Sequence, residues 1–130
     1  MIYMATSINE SPVITDKAGV AIPDVRGKAV KFDENGGIVL CAAGEVALGV
    51  GIMANDVDIE VGRDVNIQVK DIGRVYAGAA VKKGDELSAD ANGAFVKASG
   101  ADYVAAIALE AAADAGVYIQ ARLVGYQKTV

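Results

Sequence analysis

Two stretches alternate apolar and polar residues with period two, Val57-Asp-Ile59-Glu-Val61 and Val65-Asn-Ile67-Gln-Val69. Successive side chains of a strand point to opposite faces, so this alternation predicts two strands with one buried face each, joined by a turn at Gly62-Arg63-Asp64. Shorter blocks, Ala29 to Phe32 with Ile38 to Leu40 and Glu86 to Ala89 with Ala94 to Lys97, flank Asp33-Glu-Asn35-Gly36-Gly37 and Asp90-Ala-Asn92-Gly93. Asn-Gly supplies the two positive-φ positions of a tight turn, which predicts two hairpins.

One stretch pulls against this pattern. Val104-Ala-Ala-Ile-Ala-Leu-Glu-Ala-Ala-Ala-Asp-Ala115 is rich in the best helix formers. Its counterpart in the first part of the chain, Ala47 to Asp56, holds Gly49 and Gly51, which make a helix costly there. If the two stretches share a fold, Tyr103 to Leu109 is a strand and Glu110 to Gly116 a small-residue loop, with a short helix as the competing outcome.

The reason to treat them as counterparts is a repeat. Asp24 to Val39 lines up with Val81 to Val96, 57 residues on, with Gly27/Gly84, Asp33/Asp90, Asn35/Asn92, Gly36/Gly93 and Val39/Val96 identical. Val65 to Gly73 lines up with Val117 to Gly125, now 52 residues on, which assigns five extra residues to the first copy between Val57 and Arg63. Ala18-Gly-Val-Ala-Ile22 echoes Ala77-Gly-Ala-Ala-Val81. The expected architecture is all-β: a small β-barrel or β-sandwich over residues 18–130, built from two strand-turn repeats at about 18–73 and 75–125.

Residues 1–17 lie outside that repeat and show neither period. Such a segment is a frayed tail, or, given Ile2, Tyr3, Ile8, Val13 and Ile14, an extended N-terminal arm that orders against a partner. Met1 and Met4 are both possible starts. Gly125 to Val130 falls beyond the repeat as a loose end or a contact strand.

Composition narrows the chemistry. The chain has 130 residues, enough for one domain with its own core, and its 15 Gly with two Phe, five Tyr and no Trp predict a thin core of aliphatic residues. A single Cys, Cys41, rules out an internal disulfide and reads as a small buried side chain. His is absent, which removes the commonest general base and, with one Cys, any thiol-imidazole metal cluster. Asp56, Asp58 and Glu60, or Asp85 and Glu86, read as solvated positions, and the first set lacks the spacing of a calcium loop. Gly49-Val-Gly51 lacks the third glycine and helix of a dinucleotide fingerprint, and no Walker loop occurs. These absences predict a protein that is not an enzyme and takes no cofactor or metal.

A formal charge of −5, with Lys82-Lys83 the one adjacent basic pair and explicable as a solvated turn, argues against nucleic acid as a partner. No apolar run approaches the roughly 20 residues that span a bilayer, and no basic-then-apolar leader opens the chain. Synthesis in a cytoplasm without membrane association is the expectation.

Ala77 to Leu87, Asp90 to Val96, and Val104 to Ile119, with Glu110 followed by small residues, Gly116 and an alternating strand, resemble the capsid cement or head decoration proteins of tailed bacteriophages. The resemblance covers Ala77 to Gly125 well and the first copy more loosely. It implies a compact β domain on the capsid exterior, a homotrimer that fastens subunits of the major capsid protein. An arm suited to adding a strand to a sheet edge would make contact through Ile8, Pro12, Val13 and Ile14, unless these residues tuck against their own barrel. Two rivals stay open. A biotinyl or lipoyl carrier module shares Val81-Lys-Lys-Gly-Asp85, with Asp16-Lys17-Ala18 as its modification letters in the wrong place. A head fibre protein binding host glycans shares the fold but would want more aromatic platforms.

Overall fold

The computed structural model describes residues 11–129. The Asp33 and Asp90 turns form where the sequence puts them, by a different geometry from the one expected. Only Gly36 (φ 83°) and Gly93 (φ 80°) adopt positive φ in these turns; Asn35 and Asn92 do not. Gly36 N donates to Asp33 O at 3.0 Å and Asp33 N donates to Gly37 O at 2.7 Å, so each turn is an ordinary turn followed by a left-handed glycine. The aspartate specifies it: one Asp33 carboxylate oxygen accepts from the amides of Asn35 and Gly37, both at 2.9 Å. One Asp90 oxygen does the same for Asn92 and Ala94.

Around these turns the chain is all-β, with twelve strands and no helix among the described residues. The first half holds β1 (Val13–Lys17), β2 (Ile22–Asp24), β3 (Ala29–Phe32), β4 (Ile38–Leu40), β5 (Gly49–Gly51), β6 (Val57–Ile59) and β7 (Asp64–Gln68). The second holds β8 (Ile72–Ala77), β9 (Glu86–Ala89), β10 (Phe95–Lys97), β11 (Tyr103–Ala108) and β12 (Val117–Gln127). Tyr103 to Ala108 is a strand despite its helix propensity, because its alanines lie between β9 and β12 with Val104, Ala106 and Ala108 buried.

The second half is a closed barrel in the order β10-β8-β12-β11-β9. The first half repeats the order as β4, β1, β7, β5, β3, with β1 in the place of β8. Its seam closes through a single parallel bridge, Ala18 to Ile38, where the second half pairs Ala77 with Phe95. The same bond secures both seams, Gly19 N to Ile38 O at 2.9 Å and Gly78 N to Phe95 O at 2.8 Å. Both glycines are needed for closeness, since a side chain on Gly19 or Gly78 would collide with the carboxylate of Asp33 or Asp90. The first repeat therefore extends back to Val13, into the segment expected to be an arm.

Strand register corrects the sequence alignment. Val50 faces Gln68 and Ile107 faces Arg122, while Val65 faces Asp16 and Ile119 faces Val75. Val65 is thus the counterpart of Ile119, 54 residues on, not of Val117, and the first copy carries three extra residues there, not five. A two-residue slip preserves which residues face the core, so alternation alone cannot detect it. Burial can: Val65, Ile67, Ile119 and Ala121 are inside, whereas Val117 is exposed.

In that register further counterparts appear. Asn55 Oδ1 accepts from Asn66 N at 2.8 Å, and Glu110 Oε1 accepts from Gln120 N at 2.6 Å. The glutamate that opens the small-residue loop is thus a cap on β12.

The turn expected at Gly62-Arg63-Asp64 does not make a hairpin. β6 pairs with β2, and β7 pairs with β1 and β5. Gly62 N donates to Ala18 O and Ala18 N to Arg63 O, both at 2.8 Å, so the turn is spent on the start of the first repeat. Alternation predicts a face, not a partner. Even the face holds only in part, because Ile59 is buried but Val57 and Val61 are exposed.

Two cores result. One gathers Ile22, Val25, Val30, Ile38, Ile59, Val65 and Ile67 inside the first half. The other surrounds Phe95, Leu87, Val75 and Ile119 and also takes in Ala29, Cys41 and Val50, so the first half is packed onto the second.

Candidate interaction surface

The contact between the halves is built from backbone. Tyr76 N donates to Gly27 O at 2.7 Å, and Ala29 N donates to Gly93 O at 2.8 Å. Gly44 (φ 69°) lies between the end of β9 and the start of β11, donating to Ala89 O at 2.9 Å and accepting from Tyr103 N at 3.1 Å. The sequence permits this because the first half offers only small groups: a side chain on Gly44 would strike Asp102, and one on Gly27 would meet Tyr76 N at 2.8 Å and the Tyr118 ring at 2.9 Å. Tyr76 and Tyr118 meet edge to face at 5.2 Å, and the Lys28 ammonium lies 5.3 Å from the Tyr76 ring.

The matching face of the first half is open. By the repeat, Tyr76, Gly93, Ala89 and Tyr103 correspond to Lys17, Gly36, Phe32 and Val46. Phe32 is 44% exposed and Val46 61% exposed, and nothing lies within contact range of a side chain built on Gly36. Phe32 and Val46 line a shallow groove with Lys31, Gly44, Glu45 and Leu48.

An ion pair stiffens the rim of that groove. Lys31 Nζ lies 2.7 Å from Glu45 Oε1, whose other bond comes from Ala42 N at 2.7 Å. The hydrogen bond from Lys31, then that from Ala42, holds the Glu45 carboxyl below its ordinary range, and Glu45 in turn raises Lys31. Asp102 stands in the same place in the second half, accepting from Ser99 N at 3.0 Å and from the Ser88 hydroxyl at 3.2 Å.

No family model matches the chain, and no curated protein does. Among solved structures, the N base of the head fiber gp8.5 of bacteriophage phi29 superposes with a TM-score of 0.66 at 23% identity, covering 86% of this chain and 92% of that one. The two chains share a fold.

The residues singled out in the sequence fall as follows. Ile8 lies outside the described residues. Pro12 O accepts from Val69 N at 2.8 Å, and Val13 and Ile14 pair with Gln68 and Ile67 in β1, half-buried, so this segment adds a strand to its own sheet. Lys17 is also in β1, paired to Asp64 Oδ1 at 2.6 Å, and does not sit at a hairpin tip. Burial pushes the Cys41 thiol up to about 12, a value at which it is inert.

Asp56, Asp58 and Glu60 line a broad, mostly polar groove with Arg63 and Asp64. They do not approach one another closely enough to hold a metal ion, and no such cluster occurs among the described residues. No helix there is long and apolar enough to cross a membrane. Sequence reasoning missed Phe32 and Val46. The signal was available in the repeat, which sets each against a residue of the second half that lies at the internal contact.

Proposed function

We propose that this chain is a non-enzymatic structural protein of a phage virion, attached to the exterior of the head through the major capsid protein. The observation that carries the reading is the shared fold with a head-fiber base, which extends over nearly the whole of both chains. The chemistry of the surface is consistent with it. Asp33 and Asp90 are engaged as turn caps, Glu110 as a cap on β12, and Glu45 and Glu86 in surface ion pairs. A stiff scaffold with an adhesive apolar face needs no more.

Two roles fit such a protein. A cement protein fastens neighbouring shell subunits across the lattice, as a homotrimer in the pattern of that family. A fibre base seats an appendage at selected positions, and the likeness to the phi29 base favours it as the second reading. Quantitative mass spectrometry of purified particles separates them. About one copy per shell subunit supports cement, a small fraction of that supports a fibre base, and absence from the particle overturns both. The mass of the purified 13.3 kDa chain in solution tests the trimer.

A further inference from the structure

The groove bounded by Phe32 and Val46 has a template for its occupant inside the same molecule. At the counterpart place in the second half, Gly44 is held by two backbone bonds, to Ala89 O and from Tyr103 N. In the first half the acceptor is Phe32 O and the donor Val46 N. Asp33 N to Gly37 O and Cys41 N to Ala29 O fix the alternation of the β3·β4 ladder, which turns the Phe32 carbonyl away from β4. On the other side, pairing of β3 with β5 ends at Val30. Among the described residues, Val46 N has no hydrogen-bond acceptor.

We propose that this bracket docks a glycine-bearing turn of a second, different protein, held by its backbone between Phe32 O and Val46 N. The inference rests on the head-protein reading and names the contact surface; the partner is then a shell protein. A second copy of this chain is a poor occupant through the matching surface of its second half, because that surface is closed. Its counterpart of Gly44 is Ala101, whose carbonyl accepts from the Gln127 side chain. Its counterpart of Ala29 is Glu86, whose carboxylate takes bonds from Tyr126 and, at 2.6 Å, from Lys128. The first half's own glycine face is consumed by the internal contact. Charge agrees: Lys31 and Glu45 neutralise each other at the rim, leaving an apolar rim around two backbone groups, which suits an uncharged turn of small residues.

The test uses particles made without the native gene product and complemented with wild-type chain, with F32D/V46D, or with V61D, an equally exposed valine outside the groove. Incorporation is measured by mass spectrometry, and folding by thermal melts of the purified chains. Wild type and V61D are expected in the particle at equal level, and F32D/V46D at least tenfold lower with an unchanged melt. Should the double aspartate variant melt early, Phe32→Ser with Val46→Thr replaces it. Incorporation of F32D/V46D within twofold of wild type overturns the proposal while leaving the head-protein reading intact. Absence of wild type overturns that reading itself. A fall in the solution mass of F32D/V46D relative to wild type identifies the occupant as a second copy and also overturns the proposal.

Discussion

The two halves have one topology and two fates. In the second, the face beside β9 and β11 is covered by the first half and carries Ala89 and Tyr103; in the first, the same face carries Phe32 and Val46 and meets solvent. The opposite face is inverted: in the first half it is glycine, alanine and Cys41 packed inward, in the second it is Glu86, bonded by Tyr126 in β12 and by Lys128 just beyond it. The repeat gives both copies the means to dock, and substitution left two of the four faces used against each other, one sealed and one open. An open apolar face among sealed ones is where a partner is to be sought.

The largest break in this comparison comes from the seams. Phe95 is the bulkiest fully buried side chain and sits in the ladder that closes the second barrel. Truncation to Ala is expected to destabilise by about 3–5 kcal/mol, and Ile38→Ala, its counterpart, by about 2–5 kcal/mol. Chemical denaturation checks both, and an Ile38→Ala cost under about 1 kcal/mol would mean that the first barrel is not closed through its seam.

Next are the two left-handed glycines that occupy matching places. Gly27 is pressed against Tyr76 and Tyr118, whereas Gly84 has open space around it. Alanine pays roughly 1–2 kcal/mol for the positive φ at either position, but at Gly27 overpacking adds about 1–3 kcal/mol. Equal losses in denaturation would contradict the internal contact.

The turn aspartates should behave alike. Asp33→Ala and Asp90→Ala each remove two amide bonds, an expected loss of about 1–2 kcal/mol apiece by the same measurement.

The smallest effect is on pH. Lys128, then Tyr126, lowers the Glu86 carboxyl below its ordinary value of 4.5. A depressed folded pKa contributes stability that is present above the unfolded value and lost as pH falls through the folded one. The protection factors of the Gln127 and Lys128 amides, corrected for intrinsic exchange, are therefore expected to fall at pH below the ordinary carboxylate range in wild type, and Glu86→Gln to remove that dependence.

Much of this was legible in the residues. The paired strands around Asp33 and Asp90 follow from turn chemistry, which acts over a few residues, and the strand at Tyr103 to Ala108 follows from the repeat, against its local helix propensity. The aspartates specify their turns even though Asn35 and Asn92 do not adopt the expected φ. What failed was long-range. β6 and β7 are neighbours in sequence but not in the sheet, and a two-residue slip in β12 left the pattern unchanged.

Sequence alone thus determined the all-β class, the hairpins and the existence of two copies, because local backbone preferences and side-chain period encode them. Only the tertiary structure decided that Val13 to Lys17 completes the first barrel, that the copies are in a 54-residue register across β7 and β12, and that Phe32 and Val46 stand uncovered. Those depend on which strand lies beside which, and backbone hydrogen bonds carry no residue identity, so their partners are selected by the packing of the whole.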